Sequence, residues 1–392
     1  MNKKILLIGC GAEIGSMLLA MNNPNKDGYE IDTVLTNEIS NDKNNSKENM
    51  NAILARIVLS NPQILDKVRI NHNKQILEIG KRKVKFFFGN ITKFKLSRLN
   101  KRFEATIIAT SKKHISNKNL MKNFLKVSKF VFGVAESEKL PSIYPNLINI
   151  KSKVLDSEPK LIKDYKDKIF ALGSCQSNGW QAQLRGIIEV FEKNNLKSFK
   201  MLSTELDIIH PDTPQGRLGT KSDKPREQEA RNNFRPSFSQ ATISMKKLFP
   251  HINKVHTVSL RTLITPPGYQ IARFYFKYEL KNKKRIDKSI LINELKKFSK
   301  KSPEILRISE NSLGSRAYEM TETAAVILAD KKYIYLNENP FLINSNTQKN
   351  ENICEIITQA YVHNTRGYCR SVLNCLRKIL SKKDDIKIFC WK

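Results

Sequence analysis

Residues 5–15 read Ile5-Leu6-Leu7-Ile8-Gly9-Cys10-Gly11-Ala12-Glu13-Ile14-Gly15, and an apolar set at Met17, Leu18 and Leu19 follows. Four aliphatic residues closed by glycines predict a short buried strand, a tight turn and a helix. That succession opens a dinucleotide-binding βαβ unit, with Gly9, Gly11, Ile14 and Gly15 as candidate cofactor contacts. The spacing is G-x-G-x-x-x-G, one residue longer than the usual fingerprint, and Glu13 adds a negative charge near the pyrophosphate position.

Outward from this turn, Ile31 to Thr36 predicts a second strand that ends at Asn37-Glu38. A carboxylate there can accept hydrogen bonds from the adenosine ribose hydroxyls, which favours NAD, and no arginine follows closely enough to favour NADP. Further strands are expected at 75–79, 84–88, 105–110 and 130–134, with Thr110 joining the cofactor set. The first domain is therefore expected over 1–173 as an open, Rossmann-type, largely parallel sheet with an inserted hairpin. A C-terminal helix over 366–392 completes it.

At the edge of that domain stands Gly173-Ser174-Cys175-Gln176-Ser177-Asn178-Gly179, between an apolar run at 168–172 and a helical pattern through Trp180, Leu184, Ile187, Ile188 and Phe191. A cysteine in the first turn of a helix meets the positive end of the macrodipole and unpaired N–H groups. Both are expected to lower its pKa and favour the nucleophilic thiolate. The plainer reading is a small buried thiol, since free cysteine is among the most buried residue types.

Beyond it, a second domain of α+β character with a mixed or antiparallel sheet is expected over 174–365. Val255 to Thr265 alternates, with Val258, Leu260 and Ile264 on one face, expected to be the core face together with His256. Thr257, Ser259 and Arg261 lie on the other face. Residues 210–236 form a long polar stretch, of the kind that is usually functional or disordered. Of the six histidines, His210, at the mouth of this stretch, is the best placed to serve as a base.

The 392 residues carry a net charge of +32, mostly lysine spread along the chain, and six cysteines without Cys-x-x-Cys spacing. Neither a zinc site nor a disulfide framework is indicated, and a reducing cytoplasm fits best. No apolar stretch reaches the roughly 18 residues of a membrane span. The apolar run 5–8 is too short for a secretory signal. The positive charge leaves open a competing class, a non-catalytic protein binding nucleic acid or acting in regulation.

Four segments, in order, resemble the phosphorylating glyceraldehyde-3-phosphate dehydrogenase family. They are Ser174-Cys175-Gln176-Ser177-Asn178, His210-Pro211-Asp212-Thr213-Pro214-Gln215, Ser259-Leu260-Arg261-Thr262 and His363-Asn364-Thr365-Arg366-Gly367-Tyr368. The resemblance implies that Cys175 attacks an aldehyde and His210 acts as general base. Arg261 and Thr213 would hold the substrate phosphate, and Asn364 the nicotinamide carboxamide. Ser174, Gln176, Ser239 and Gln240 fall at the site of attacking inorganic phosphate. It further implies glyceraldehyde 3-phosphate or a similar phosphorylated aldehyde as substrate, NAD as cofactor and a homotetramer. The chain departs from the family at Gln176, Ser239-Gln240 and Thr365-Arg366, which leaves open a relative in which water resolves the thioester, or one that acts on another sugar-phosphate aldehyde.

Overall fold

The computed structural model describes residues 3–11, 13–38, 46–150, 160–166, 168–211, 234–252, 254–282, 285–318, 323–338, 352–381 and 386–388. Its first sheet is assembled from β1 (Lys3–Ile8), β2 (Tyr29–Thr36), β3 (Val68–Asn71), β4 (Ile76–Ile79), β5 (Arg82–Phe88), β6 (Phe103–Ile108), β7 (Ser128–Gly133) and, beyond the short β8 (Lys160–Leu161), β9 (Ile169–Ala171). The spatial order is β3-β4-β5-β2-β1-β6-β7-β9. Every neighbouring pair from β5 to β9 is parallel, and β3, β4 and β5 form antiparallel ladders at one edge.

Parallel strands must be covered on both faces, and β1 shows how. Ile5 and Leu7 pack into a core with α1 (Glu13–Met21) and the C-terminal helix α9 (Arg366–Ser381), while Leu6 and Ile8 turn to a core containing Leu120, Met121 and Phe124. Alternation of successive side chains across the strand produces this division. On the α1 side the chain also forms α2 (Pro24–Asp27) and α3 (Ser46–Ser60); α4 (Lys112–Ile115) and α5 (Lys118–Asn123) follow β6.

The second sheet comprises β10 (Leu196–Pro211), β11 (Arg235–Pro236), β12 (Val255–Thr262), β13 (Gly268–Leu280), β14 (Leu306–Ile308), β15 (Val326–Leu328), β16 (Ile334–Glu338) and β17 (Asn352–Val362). Its order is β11-β12-β10-β13-β17-β15-β14, with β16 also on β17; β10–β12 and β14–β15 are parallel and the remaining pairs antiparallel. The residues of β13 alternate strictly between buried and half-buried. Their buried set packs with α6 (Cys175–Lys193), α7 (Ala241–Leu248) and α8 (Lys288–Lys301) around Trp180 and Phe191. The protein is thus mixed α/β with two mixed sheets. Among the described residues no helix is long and apolar enough to cross a membrane.

Two expectations are corrected. The C-terminal helix α9 occupies Arg366–Ser381 only, and residues 387–388 return as β18 (Lys387–Ile388) against β8. On β12 the expected faces are inverted: Val258 is 57% exposed and His256 exposed, whereas Ser259 is buried. The polar face turns inward because hydrogen-bond partners wait there. Thr257 meets the Thr242 hydroxyl of α7 at 2.7 Å, and Ser259 meets Ser237 at 2.8 Å. A buried hydroxyl with a partner costs little; the same inversion places Arg261 on the face shared by Thr257 and Ser259.

Candidate active site

Cys175 is the first residue of α6, directly behind a reciprocal cap. The Ser174 hydroxyl accepts from Ser177 N at 3.2 Å, and the Ser177 hydroxyl accepts from Ser174 N at 3.3 Å. Gly173, at φ +71°, makes the left-handed turn out of β9 that aims the chain into the helix. Such a cap fixes the helix start, and with it the Cα position of the thiol.

His210 comes from the end of β10, and its Nε2 lies 4.0 Å from the Cys175 sulfur. Its other nitrogen, Nδ1, is 2.6 Å from the Pro211 carbonyl oxygen. A carbonyl only accepts and the Arg261 guanidinium, also beside Nδ1, only donates, so the two contacts ask for opposite tautomers; the shorter one, to the carbonyl, puts the proton on Nδ1 and leaves Nε2 as the acceptor that faces the thiol. Arg261 stands directly across the parallel ladder from His210, with Nη1 3.3 Å from Nδ1 and 3.5 Å from the same carbonyl.

Burial pushes the Cys175 thiol up to about 11. The N–H groups of Gln176 and Cys175 and the Arg261 charge pull the other way, and the Glu13 carboxylate adds to the rise. The expectation of a lowered pKa is therefore corrected: desolvation outweighs the helix terminus. The resting group is a thiol that needs a base.

Glycines of the first sheet gather nearby. Gly9 has φ +91°, and a Cβ on Gly15 would lie 1.8 Å from the Gly9 carbonyl oxygen, so the two glycines make one tight crossing. Gly11 differs, since a Cβ there would meet only the Thr36 hydroxyl at 3.7 Å, an ordinary contact. Among the described residues no packing contact requires glycine at 11. Glu38 is exposed just beyond β2, and half-buried Thr110, just beyond β6, lies 3.2 Å from His114 Nδ1. Both flank β1, where the sheet order reverses. Ile14 begins the buried face of α1, and its carbonyl accepts a contact from the Cys369 sulfur of α9 at 3.6 Å. Burial raises the pKa of Glu13, at the start of the same helix.

The remaining expected residues divide. Asn364, buried between β17 and α9, accepts at Oδ1 from Gln176 Nε2 at 3.0 Å. Gln176 is itself buried, and its oxygen accepts from Gln270 at 2.6 Å, so its amide is turned inward and is not presented to a phosphate. Ser239 is buried and caps α7 by accepting from Ala241 N at 3.2 Å, while half-buried Gln240 offers that helix no side-chain cap. Arg366, one of the departures from the family, donates to the Ser60 carbonyl at the end of α3, at 3.3 Å. Thr213 lies outside the described residues. Arg235, which was not among the expected site residues, stands opposite Arg261 in the β11–β12 ladder, which puts both side chains on one face. Its position inside a polar stretch gave no periodic signal. Among the described residues no cluster of His, Cys, Asp or Glu could hold a metal.

Comparison with models of known protein families finds no match, and comparison with curated proteins finds none.

Proposed function

We propose that the protein is an NAD-dependent oxidoreductase that oxidises a phosphorylated aldehyde through a thioester on Cys175. The observation that carries this reading is the 4.0 Å approach of His210 Nε2 to the Cys175 sulfur, with Nδ1 committed to a carbonyl. The six parallel strands support it: numbered among themselves along the chain they run 3-2-1-4-5-6, an order associated with dinucleotide binding at the reversal next to β1. Gly9, Gly11, Gly15, Glu38 and Thr110 lie around that reversal and fit NAD, as the open side of Gly11 does.

In this reading the sulfur bonds to the aldehyde carbon as the thiol proton passes to His210 Nε2 and on to the new alkoxide, giving a hemithioacetal. His210 next takes the hydroxyl proton as the carbonyl re-forms into a thioester. NAD, when bound, supplies the hydride acceptor. Arg261, beside His210, would hold the anionic group of the substrate through its forked donors. An oxygen nucleophile then adds to the thioester, and the cysteine sulfur leaves and regains its proton.

Inorganic phosphate is the nucleophile that the resemblance implies. A second reading, hydrolysis by water, is favoured by the internal commitments of Ser174, Gln176 and Ser239. NADH formation from NAD and a panel of aldehyde phosphates, with and without phosphate, tests both. Cys175→Ala is expected to abolish turnover and His210→Asn to slow it by roughly 10² to 10⁴. Folded variants with unchanged kinetics would reject the assignment, as would a wild-type protein that forms no NADH while binding polyanions tightly. Phosphate-independent turnover yielding the free acid would identify water as the acceptor.

A further inference from the structure

A line of buried amides runs from β17 to Asn364. The Thr358 hydroxyl donates to Gln183 Oε1 at 2.7 Å, Gln183 Nε2 to Gln270 Oε1 at 3.0 Å, Gln270 Nε2 to Gln176 Oε1 at 2.6 Å, and Gln176 Nε2 to Asn364 Oδ1 at 3.0 Å. Thr358, Gln183, Gln270 and Gln176 are at most 3% exposed.

Two backbone carbonyls fix the direction of the line. Gln270 Nε2 also donates to the Gln176 carbonyl at 2.9 Å, and Gln183 Nε2 to the Gly179 carbonyl at 3.4 Å. A carbonyl cannot donate, so neither amide can turn over without leaving a buried acceptor facing an acceptor. Gln176 must then accept from Gln270 with its oxygen and donate with its nitrogen. With the Asn364 oxygen occupied by Gln176, Nδ2 is the amide atom that this residue could offer to a ligand.

We infer that Gln176, held by Gln270 and Gln183, is a positioning residue that presents Asn364 to the cofactor as a hydrogen-bond donor, selecting the carbonyl oxygen of the nicotinamide carboxamide. The inference rests on the NAD reading above and on the carboxamide contact of Asn364 that the family resemblance implies. It also gives Gln176 work that a phosphate contact would not.

Equilibrium binding of three dinucleotides, measured by calorimetry at pH 8.5, tests it without turnover. The probes are NAD, its 3-acetylpyridine analogue, which keeps the carbonyl but lacks the amine, and its thionicotinamide analogue, whose sulfur accepts poorly. Wild type is expected to bind NAD and the acetylpyridine analogue within about threefold of each other, and the thionicotinamide analogue about tenfold more weakly. In Gln176→Glu an ionised carboxylate accepts from both sides and turns Asn364 over. The acetylpyridine analogue should then fall about tenfold behind NAD. Gln176→Met keeps the volume and releases Asn364, so its preference against the thionicotinamide analogue should shrink below about threefold. Wild type that binds NAD but treats the thionicotinamide analogue equally overturns the inference. So do folded variants that keep the wild-type preferences. A wild-type chain that binds none of the three overturns the NAD reading itself.

Discussion

Lys247 of α7 and Glu136, in the segment after β7, form a buried ion pair at 2.8 Å, with side chains 5% and 0% exposed. The ammonium also donates to the Ser142 hydroxyl at 2.8 Å and the Leu140 carbonyl at 3.0 Å. Glu136 accepts from Ser142 at 2.7 Å and from Ser244, whose oxygen, its one proton given to Glu136, accepts from the Ser177 hydroxyl at 2.7 Å. Ser177 is half of the cap in front of Cys175, so the pair is joined by hydrogen bonds to the start of α6.

Removing one partner of such a pair strands the other charge in a dry site. Lys247→Met is expected to cost about 3–5 kcal/mol in chemical denaturation. Lys129→Ala, which breaks the exposed pair with Glu104 at 2.9 Å, should cost less than about 1 kcal/mol. Equal losses would mean that the buried network carries no special weight.

With the Cys175 thiol pushed up to about 11, roughly one molecule in ten thousand holds a thiolate at pH 7. Alkylation of Cys175 by iodoacetamide in the absence of substrate should therefore climb about tenfold per pH unit from 7 to 10, measured by mass spectrometry of the labelled peptide. A plateau near pH 6 would show a preformed thiolate and contradict the desolvated site.

Cys10 and Cys375 are also held up, each to about 12, by burial. Their native values lie above the unfolded value of about 8.5, so the neutral thiols stabilise the fold fully below that pH. This contribution is lost as pH rises toward 12, because only the unfolded chain can ionise easily. The melting temperature should fall between pH 8.5 and 11, and less steeply in Cys10→Ala than in wild type. Parallel falls would assign the alkaline loss to other groups.

Gly11 and Gly15 should respond oppositely to alanine. A methyl on Gly15 collides with backbone, the Gly9 carbonyl, which has nowhere to move, so Gly15→Ala should lower the melting temperature sharply. Gly11→Ala meets only an ordinary contact and should fold normally while weakening NAD binding by tenfold or more, read by calorimetry. Normal NAD binding by Gly11→Ala would remove the glycine turn from the cofactor site.

The pattern of apolar runs and glycines made the first sheet legible, because parallel strands buried on both faces leave unbroken aliphatic runs such as Ile5 to Ile8. The position of Cys175 at a helix start was legible from its flanking periods. Its pKa was not, because desolvation depends on what packs over the sulfur and not on its neighbours in sequence. The faces of β12 were misread for a related reason: hydrophobicity counts Ser259 as an outward residue, and only the hydroxyl of Ser237 makes it an inward one. Gln176 was assigned to phosphate by its place beside the cysteine. The partners that turn it inward, Gln270 and Asn364, lie far along the chain, and no local pattern connects them.

The core under β1 is closed by α9, a helix from the far end of the described chain; the Tyr29 hydroxyl, for example, donates to the Leu373 carbonyl at 3.0 Å. A ribosome makes the first sheet early and its cover late. While the second sheet is being synthesised, the face bearing Ile5, Leu7 and α1 stays open to solvent, and it closes only when Arg366 to Leu380 emerge. The nascent chain thus carries an apolar surface through most of its translation, a natural client for a holding chaperone.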